Sequence, residues 1–285
     1  MTKLRHRLVV LTSCSSGLAY ALATQLAQSG ADLVLWDEDL RAAEHLSQEL
    51  QRLYGVITYA YQVNVRQRDQ IQAIATRMKH EVSQIAVIIH APDVFHRLAG
   101  QAFSDIPPPA VEELVELHTM SCFWILESFL ALSVENPATC QGHFVWVSTS
   151  THMTGTTRGL VDYCASKTAV LGLHRALEHE LSRMNSIGND SRVERFRSTV
   201  VLAPLDRSKL QDRNQSSATP PRGWFSAEEI ARETVKAIKR NKREVALPKG
   251  ISQLYTWLGA LLPPSWYEQL LSWLKYPRAT DALRS

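Results

Sequence analysis

Short apolar runs alternate with longer amphipathic stretches along most of the chain. The apolar runs, such as residues 8–12 and 85–89, are continuous rather than interleaved with polar residues. Continuous runs of this length are typical of strands that are buried on both faces of a parallel sheet. The pattern predicts strands at residues 8–12, 32–36, 57–63, 85–89, 142–147, 198–202 and 244–247.

The stretches between these runs have the spacing of amphipathic helices, with apolar residues three and four positions apart. They predict helices at residues 16–28, 40–54, 69–82, 111–132, 163–183 and 226–240, the last with Ser226 as its N-cap. Strands and helices that alternate in this way predict an α/β fold. We expect a single doubly wound parallel sheet of the Rossmann type, with helices on both faces.

The composition narrows the class of protein. The 285 residues are 45% hydrophobic, which suits one large domain with a substantial core. The net charge of +3 is too small to indicate nucleic acid as a partner. The four cysteines lie far apart without a CxxC pair, so we predict no metal site and free thiols in a reducing, cytoplasmic compartment. We also expect no signal peptide and no membrane-spanning helix.

The end of the chain differs from the rest. We predict a Rossmann-like domain at residues 1–250 and an amphipathic helical extension at 251–285, whose residues 251–276 are rich in tryptophan and tyrosine. These aromatic residues favour the membrane interface. The extension therefore either contacts a membrane surface or packs over a substrate cleft or a subunit interface. The first alternative would place the protein on the cytoplasmic side, peripheral on endoplasmic reticulum or a lipid droplet.

The first strand–helix turn has the features of a nucleotide-binding turn. In a doubly wound sheet, a ligand lies beyond the carboxyl ends of the strands. Here the small residues of TSCSSGLA, Thr12 to Ala19, open a helix whose N-terminal amides favour a pyrophosphate. Asp37, after the second strand, can accept hydrogen bonds from ribose hydroxyls and would repel a 2′-phosphate. These features predict NAD, with NADP less favoured; the alternative is that Asp37 only begins a turn.

Tyr163 and Lys167 are the strongest local indication of chemistry. In the motif YCASK they are four residues apart, so a helix places them on one face. An ammonium group near a phenol stabilises the phenolate, and such a tyrosine can exchange a proton with an alcohol or a carbonyl. Ser150 lies 13 residues before Tyr163, within a cluster of hydroxyl residues at the end of the fifth strand. The alternative is an ordinary pair on a helix surface.

With these motifs in this order, the chain resembles the short-chain dehydrogenase/reductase superfamily over roughly residues 5–250. The resemblance implies that Tyr163 is the general acid and base and that Lys167 binds the nicotinamide ribose. It further implies that Ser150 binds the substrate oxygen, with Thr149 as the rival for that role. The motifs LVLWDED and VALP resemble the retinol and hydroxysteroid dehydrogenase branch of the superfamily.

The resemblance also implies cofactor contacts and reveals departures. His118 stands where the family has an active-site asparagine, so it either holds a proton-relay water or is a helix residue without that function. Ser13, Ala19 and Pro92 stand where the family has glycines, and a serine at the first position is disfavoured because a tight turn there prefers glycine. The implied cofactor-binding residues are Thr12, Ser13, Ser15, Ser16, Gly17, Leu18, Asp37, Asn64, Val65, Ala91, Tyr163, Lys167, Pro204 and Ser208.

The sequence therefore predicts an NAD(P)-dependent oxidoreductase. It would transfer a hydride between nicotinamide and the alcohol or carbonyl group of an apolar small molecule, such as a retinoid or a steroid. The departures leave two alternatives, which are a catalytically impaired nucleotide-binding scaffold and a membrane-surface adaptor. The resemblance also implies that the long helices predicted at 111–132 and 163–183 could form a homodimer contact.

Overall fold

The computed structural model describes residues 3–82, 84–92, 102–135, 142–150, 160–187, 196–204, 225–250, 254, 258 and 261–273. Within them, seven parallel strands form one sheet in the order β3-β2-β1-β4-β5-β6-β7. The strands are β1 (Leu8–Thr12), β2 (Asp32–Asp37), β3 (Thr58–Gln62), β4 (Ile85–His90), β5 (Gly142–Thr149), β6 (Phe196–Ala203) and β7 (Glu244–Ala246).

Helices connect the strands and continue beyond the last of them. They are α1 (Gly17–Gln28), α2 (Leu40–Tyr54), α3 (Arg68–Glu81), α4 (Pro108–Val115), α5 (Ser121–Glu135), α6 (Val161–Ile187), α7 (Ala227–Lys239) and α8 (Pro264–Trp273). A 3₁₀ turn at Phe103–Asp105 precedes α4, and a π-helical turn at Glu116–Met120 joins α4 to α5.

The sheet is buried on both faces. In β1, Val9 and Leu11 pack into a core formed with α1, α2 and α7, while Leu8 and Val10 pack into a second core formed with α3, α5 and α6. Side chains alternate between the two faces of a strand, so both sets of positions must be apolar. This requirement explains the continuous apolar runs in the sequence and confirms the predicted doubly wound α/β fold.

The strand order reverses between β1 and β4. From β1 the chain builds outward to β2 and β3, and it then returns to place β4 on the other side of β1. In an open parallel sheet such a reversal leaves a crevice beyond the carboxyl ends of the two central strands, where ligands bind. Thr12 and His90 are the last residues of these two strands.

The long helix predicted at 111–132 differs from the structure, in which the π-helical turn separates α4 from α5. Residues of this segment follow one another without proline or glycine, so the sequence contains none of the usual signs of a helix break. By contrast, the predicted Ser226 cap is confirmed. Its hydroxyl accepts from the amide of Glu229, whose carboxylate accepts in return from the Ser226 amide.

Of the predicted extension, the structure describes α8 and a few residues before it. Leu254, Leu261 and Trp266 each expose more than half of their surface. Among the helices of the described residues, none has both the length and the apolar character needed to cross a membrane.

Candidate functional site

The turn after β1 keeps a backbone conformation that favours glycine, although its first residue is Ser13. Ser13 has φ 55°, in the left-handed region that favours glycine. Ser16 caps α1, because its side chain accepts from the amide of Ala19. A Cβ atom built on Gly17 would meet no heavy atom within 4 Å. The space beside the turn is therefore open, which fits the approach of a pyrophosphate to the start of α1.

Asp37 holds this turn from the end of β2. One carboxylate oxygen accepts from the Ser15 amide at 2.8 Å, and the other accepts from the Asp39 amide at 3.0 Å. Only 3% of the Asp37 surface is exposed. Each carboxylate oxygen has more than one lone-pair site, so these bonds leave acceptor capacity for a ribose hydroxyl.

Asn64 lies after β3, beside an open cleft that Gln62 and Gln70 also line. The side-chain oxygen of Asn64 accepts from the backbone amide of Arg66 at 2.9 Å. The backbone amide of Asn64 donates to the side-chain oxygen of Gln70 at 2.8 Å. The side-chain oxygen of this predicted cofactor-binding residue therefore already stabilises a local turn, although its second lone pair remains available. Val65, the next predicted contact, is buried.

Tyr163 and Lys167 lie in the first turns of α6, at the carboxyl edge of the sheet. Lys167 is only 2% exposed. Its ammonium group donates to the Pro92 carbonyl at 2.6 Å and to the Val147 carbonyl at 3.2 Å. A buried ammonium requires such acceptors, and these two bonds fix α6 against the ends of β4 and β5.

His118 lies in the π-helical turn and contacts Tyr163. The two rings meet edge to face, with centroids 5.5 Å apart and planes at 87°. His118 Nδ1 lies 2.9 Å from Ser166 Oγ, and that hydroxyl donates to the Tyr163 carbonyl at 3.0 Å. Since a hydroxyl has one hydrogen, His118 donates from Nδ1, and in the neutral ring Nε2 then has the lone pair. The geometry brings a proton acceptor next to the tyrosine ring.

Ser150 lies on the β6 side of the site. Its hydroxyl donates to the Leu247 carbonyl at 3.0 Å, and its amide donates to the Ala203 carbonyl at 2.8 Å, next to Pro204. While it donates to Leu247, the Ser150 oxygen can accept a hydrogen bond from a substrate but cannot donate one. Thr149 is 1% exposed and ends β5.

Three of the predicted residues, Thr12, Ala91 and Lys167, come together at the end of β4. The Ala91 amide points at the Thr12 hydroxyl, at 3.4 Å, and the next residue, Pro92, accepts from Lys167. The end of β1 and the helix that contains Tyr163 thus both contact the short segment of Ala91 and Pro92. Ser208, which was predicted to bind the cofactor, lies outside the described residues.

Sequence reasoning assigned no role to three buried polar residues in this region. They are His90, Ser121 and Ser166. A histidine at the end of the apolar run IAVIIH was the one visible sign, since a buried polar side chain needs partners. Those partners come from distant parts of the chain, so the sequence could not name them.

Residues 7–209 match the family model described as short chain dehydrogenase. The chain is 31% identical to epidermal retinol dehydrogenase 2 of Mus musculus over 170 residues, which are 60% of this chain and 53% of that protein. It is 26% identical to estradiol 17-beta-dehydrogenase 11 of Mus musculus over 269 residues, which are 94% of this chain and 83% of that protein. The chain thus spans about half the length of the first relative.

Solved structures share the fold. A short chain dehydrogenase/reductase from Burkholderia phymatum, in complex with NAD, superposes with a TM-score of 0.72 at 19% identity, covering 90% of this chain and 93% of that chain. A metagenomic short-chain oxidoreductase in complex with NADP has a TM-score of 0.65 at 18% identity, covering 86% of this chain and 98% of that chain.

The strain at Ser13 gives a testable prediction. Ser13→Gly removes the steric cost of a left-handed residue with a side chain, so we expect the free energy of unfolding to rise by about 1 kcal/mol. Urea denaturation of the protein without cofactor measures this change. Ser16→Gly is the matched control: Ser16 has φ −74° and a capping side chain, so the same substitution should lower the free energy of unfolding by a few tenths of a kcal/mol. A lower free energy of unfolding for Ser13→Gly than for the wild-type protein would contradict backbone strain at Ser13.

Proposed function

Because the chain belongs to the short-chain dehydrogenase family, and within it to the branch of retinol and hydroxysteroid dehydrogenases, we propose that it interconverts an alcohol and a carbonyl group of an apolar small molecule with NAD. The family predicted from the sequence is confirmed. The observation that carries the proposed reaction is the placement of Tyr163 and Lys167 one turn apart at the start of α6, with the His118 ring against the Tyr163 ring.

Each residue of this group has a proposed role. Tyr163 would act as the general acid and base that exchanges a proton with the substrate hydroxyl. This role requires the substrate hydroxyl to bind within hydrogen-bond distance of the phenol. Lys167 would favour the phenolate through its positive charge and bind ribose hydroxyls. His118, with its Nε2 lone pair, would accept a proton from a water beside the Tyr163 ring. A bound NAD would supply the hydride acceptor.

The Ser150 hydroxyl, directly after β5, indicates which form of the substrate the site would bind. Since Ser150 donates to Leu247, it is arranged to accept from an alcohol rather than to donate to a carbonyl. This geometry supports binding of the alcohol form. Thr149, at the end of the same strand, is the candidate for a donor to the carbonyl form.

The proposed preference for NAD over NADP rests on Asp37. The family uses NAD or NADP, and the similar structures named above include a complex with each. A buried carboxylate at the end of β2, followed by Glu38 and Asp39, favours ribose hydroxyls and repels a 2′-phosphate. We therefore propose NAD as the preferred cofactor.

The substrate class rests on the two relatives, whose names state retinol and estradiol as their substrates. Both molecules are largely apolar alcohols. We propose a lipid alcohol of this kind, and the exposed apolar residues before and within α8 are suited to deliver it from a membrane surface or to cover it.

A second candidate function is a nucleotide-binding scaffold with impaired turnover. The observation that favours it is that Lys167 and Ser150, which should meet cofactor and substrate, both donate to backbone carbonyls. Binding of NADH without turnover across a panel of retinoid, steroid and long-chain alcohols would support the scaffold and contradict the enzyme.

Removal of the Tyr163 hydroxyl tests the proposed reaction. Tyr163→Phe should lower kcat for NAD-dependent oxidation of retinol or estradiol by about 100-fold or more, because no other group replaces the lost proton exchange. NADH binding, measured by fluorescence titration, should stay within about threefold. Tyr54→Phe, a matched change at the far end of α2, should alter neither quantity. Undiminished turnover in Tyr163→Phe would refute the assignment.

Neutralising Asp37 tests the cofactor preference. Asp37→Asn keeps an oxygen for the Ser15 amide but removes the repulsion of a 2′-phosphate, so the ratio of kcat/KM with NADP to that with NAD should rise about tenfold or more. Steady-state kinetics with both cofactors gives the ratio. Asp32→Asn, at the opposite end of β2, is the control and should leave it unchanged. A wild-type protein that prefers NADP would contradict the proposal.

Contact with a membrane surface is proposed for the exposed apolar residues near the C-terminal end. Trp266→Glu combined with Leu261→Glu should remove most of the protein from floated vesicles that contain phosphatidylserine, because both side chains are exposed and apolar. Leu53→Glu places the same charge at an exposed leucine of α2 and should not reduce flotation. Equal flotation of all variants would contradict attachment through this region.

A further inference from the structure

A row of buried side-chain hydrogen bonds crosses the sheet where the strand order reverses. Thr12 Oγ1, at the end of β1, lies 2.9 Å from His90 Nδ1, at the end of β4. His90 Nε2 lies 2.7 Å from Ser121 Oγ, at the start of α5. The exposed fractions of Thr12, His90 and Ser121 are 0%, 2% and 0%. The row therefore joins three elements without access to solvent.

The direction of each bond in this row can be deduced. Ser121 Oγ donates its one hydrogen to the Leu117 carbonyl at 2.6 Å, so towards His90 it can only accept, and His90 Nε2 has the hydrogen. Burial, with a smaller contribution from the charge of Lys167, lowers the pKa of His90 to about 3, so the ring is neutral. Nδ1 then has the lone pair, and the Thr12 hydroxyl donates to it.

The two ends of the row lie in the two halves of the site. Thr12 begins the nucleotide-binding turn, and its oxygen also faces the Ala91 amide. At the other end, Leu117 lies in the π-helical turn, directly before His118. An imidazole suits this place because its two nitrogens point in different directions, one accepting and one donating.

We propose that His90, held neutral with its proton on Nε2, is a positioning residue that couples the nucleotide-binding turn to the π-helical turn that contains His118. The expected effect of this coupling on NADH binding rests on the proposed function. The tautomer of the His90 ring does not. Loss of the Ser121 end of the row should then weaken binding of NADH, although Ser121 lies in the helix and not in the nucleotide-binding turn.

The tautomer is tested first, on the full-length protein without cofactor. Two-dimensional ¹H–¹⁵N spectra of the histidine rings, with His90 assigned from its absence in His90→Asn, should show a neutral ring protonated at Nε2 from about pH 5 to pH 8. A ring protonated at Nδ1, or one that titrates in this range, would overturn the proposal. This result stands whether or not the protein binds NADH.

The coupling is tested by NADH titration. Ser121→Ala should weaken NADH binding about tenfold in the otherwise wild-type protein, since a buried hydrogen bond is lost from the row. It should have no further effect in a His90→Phe background, because the row is already broken there. Ser128→Ala, at another buried serine of α5, is the matched control and should leave NADH binding unchanged.

Two further variants keep the test informative if His90→Phe does not fold. In His90→Asn, the side-chain amide is placed to replace Nδ1, so this variant should keep the Thr12 contact. In His90→Gln, the longer side chain places the amide where Nε2 was, so this variant should keep the Ser121 contact. In both, Ser121→Ala should lose its effect on NADH affinity. If Ser121→Ala lowers the free energy of unfolding but leaves NADH affinity within twofold, Ser121 is only structural and the coupling is refuted. A wild-type protein that binds no NADH would refute the proposed function and the coupling, while the ring spectra would still decide the tautomer.

Discussion

Burial of both faces of the parallel sheet is the constraint on which the rest of this structure depends. A polar side chain that the sheet buries cannot reach water, so leaving it without a partner inside the protein costs free energy. The strands obey this rule in several places. Trp146 donates to Ser198, and His143 lies 2.7 Å from Thr199. Solvent and ligands can meet polar groups of the strands at their ends, which is why the site forms at the carboxyl edge.

The same constraint makes fold and site difficult to separate. The ammonium group of Lys167 is almost fully buried, and the carbonyls that accept its hydrogen bonds belong to the ends of β4 and β5. Asp37 likewise accepts a hydrogen bond from the Ser15 amide and so holds the turn that would bind a nucleotide. The residues that would act on cofactor and substrate therefore also fix the helices to the sheet. Changes in them should alter stability as well as activity.

The parts of the structure that follow local rules could be predicted from the sequence. The strand at Leu8–Thr12, the helix at Leu40–Tyr54 and the Ser226 cap agree with the structure, because periodicity and capping depend on neighbours along the chain. The short motif that contains Tyr163 and Lys167 can likewise be read from neighbouring residues, and so can the place of Asp37 after the second apolar run. The contact of Ser150 with Leu247 was not predictable, because 97 residues separate the two. The His90 row likewise joins residues from three distant elements.

The π-helical turn at Glu116–Met120 also determines how this helix can vary between related proteins. Each residue advances an α-helix by about 100°, and a π-helical turn accommodates one extra residue. The faces of α4 and α5 are therefore out of phase by about that angle, and Leu114 is buried before the turn as Cys122 is after it. A substitution at His118 leaves the number of residues in the turn unchanged, and so it keeps the relative phase of the two faces. Deletion of a single residue would instead rotate α4 away from its packing, so this segment can tolerate replacement of side chains far better than a change of length.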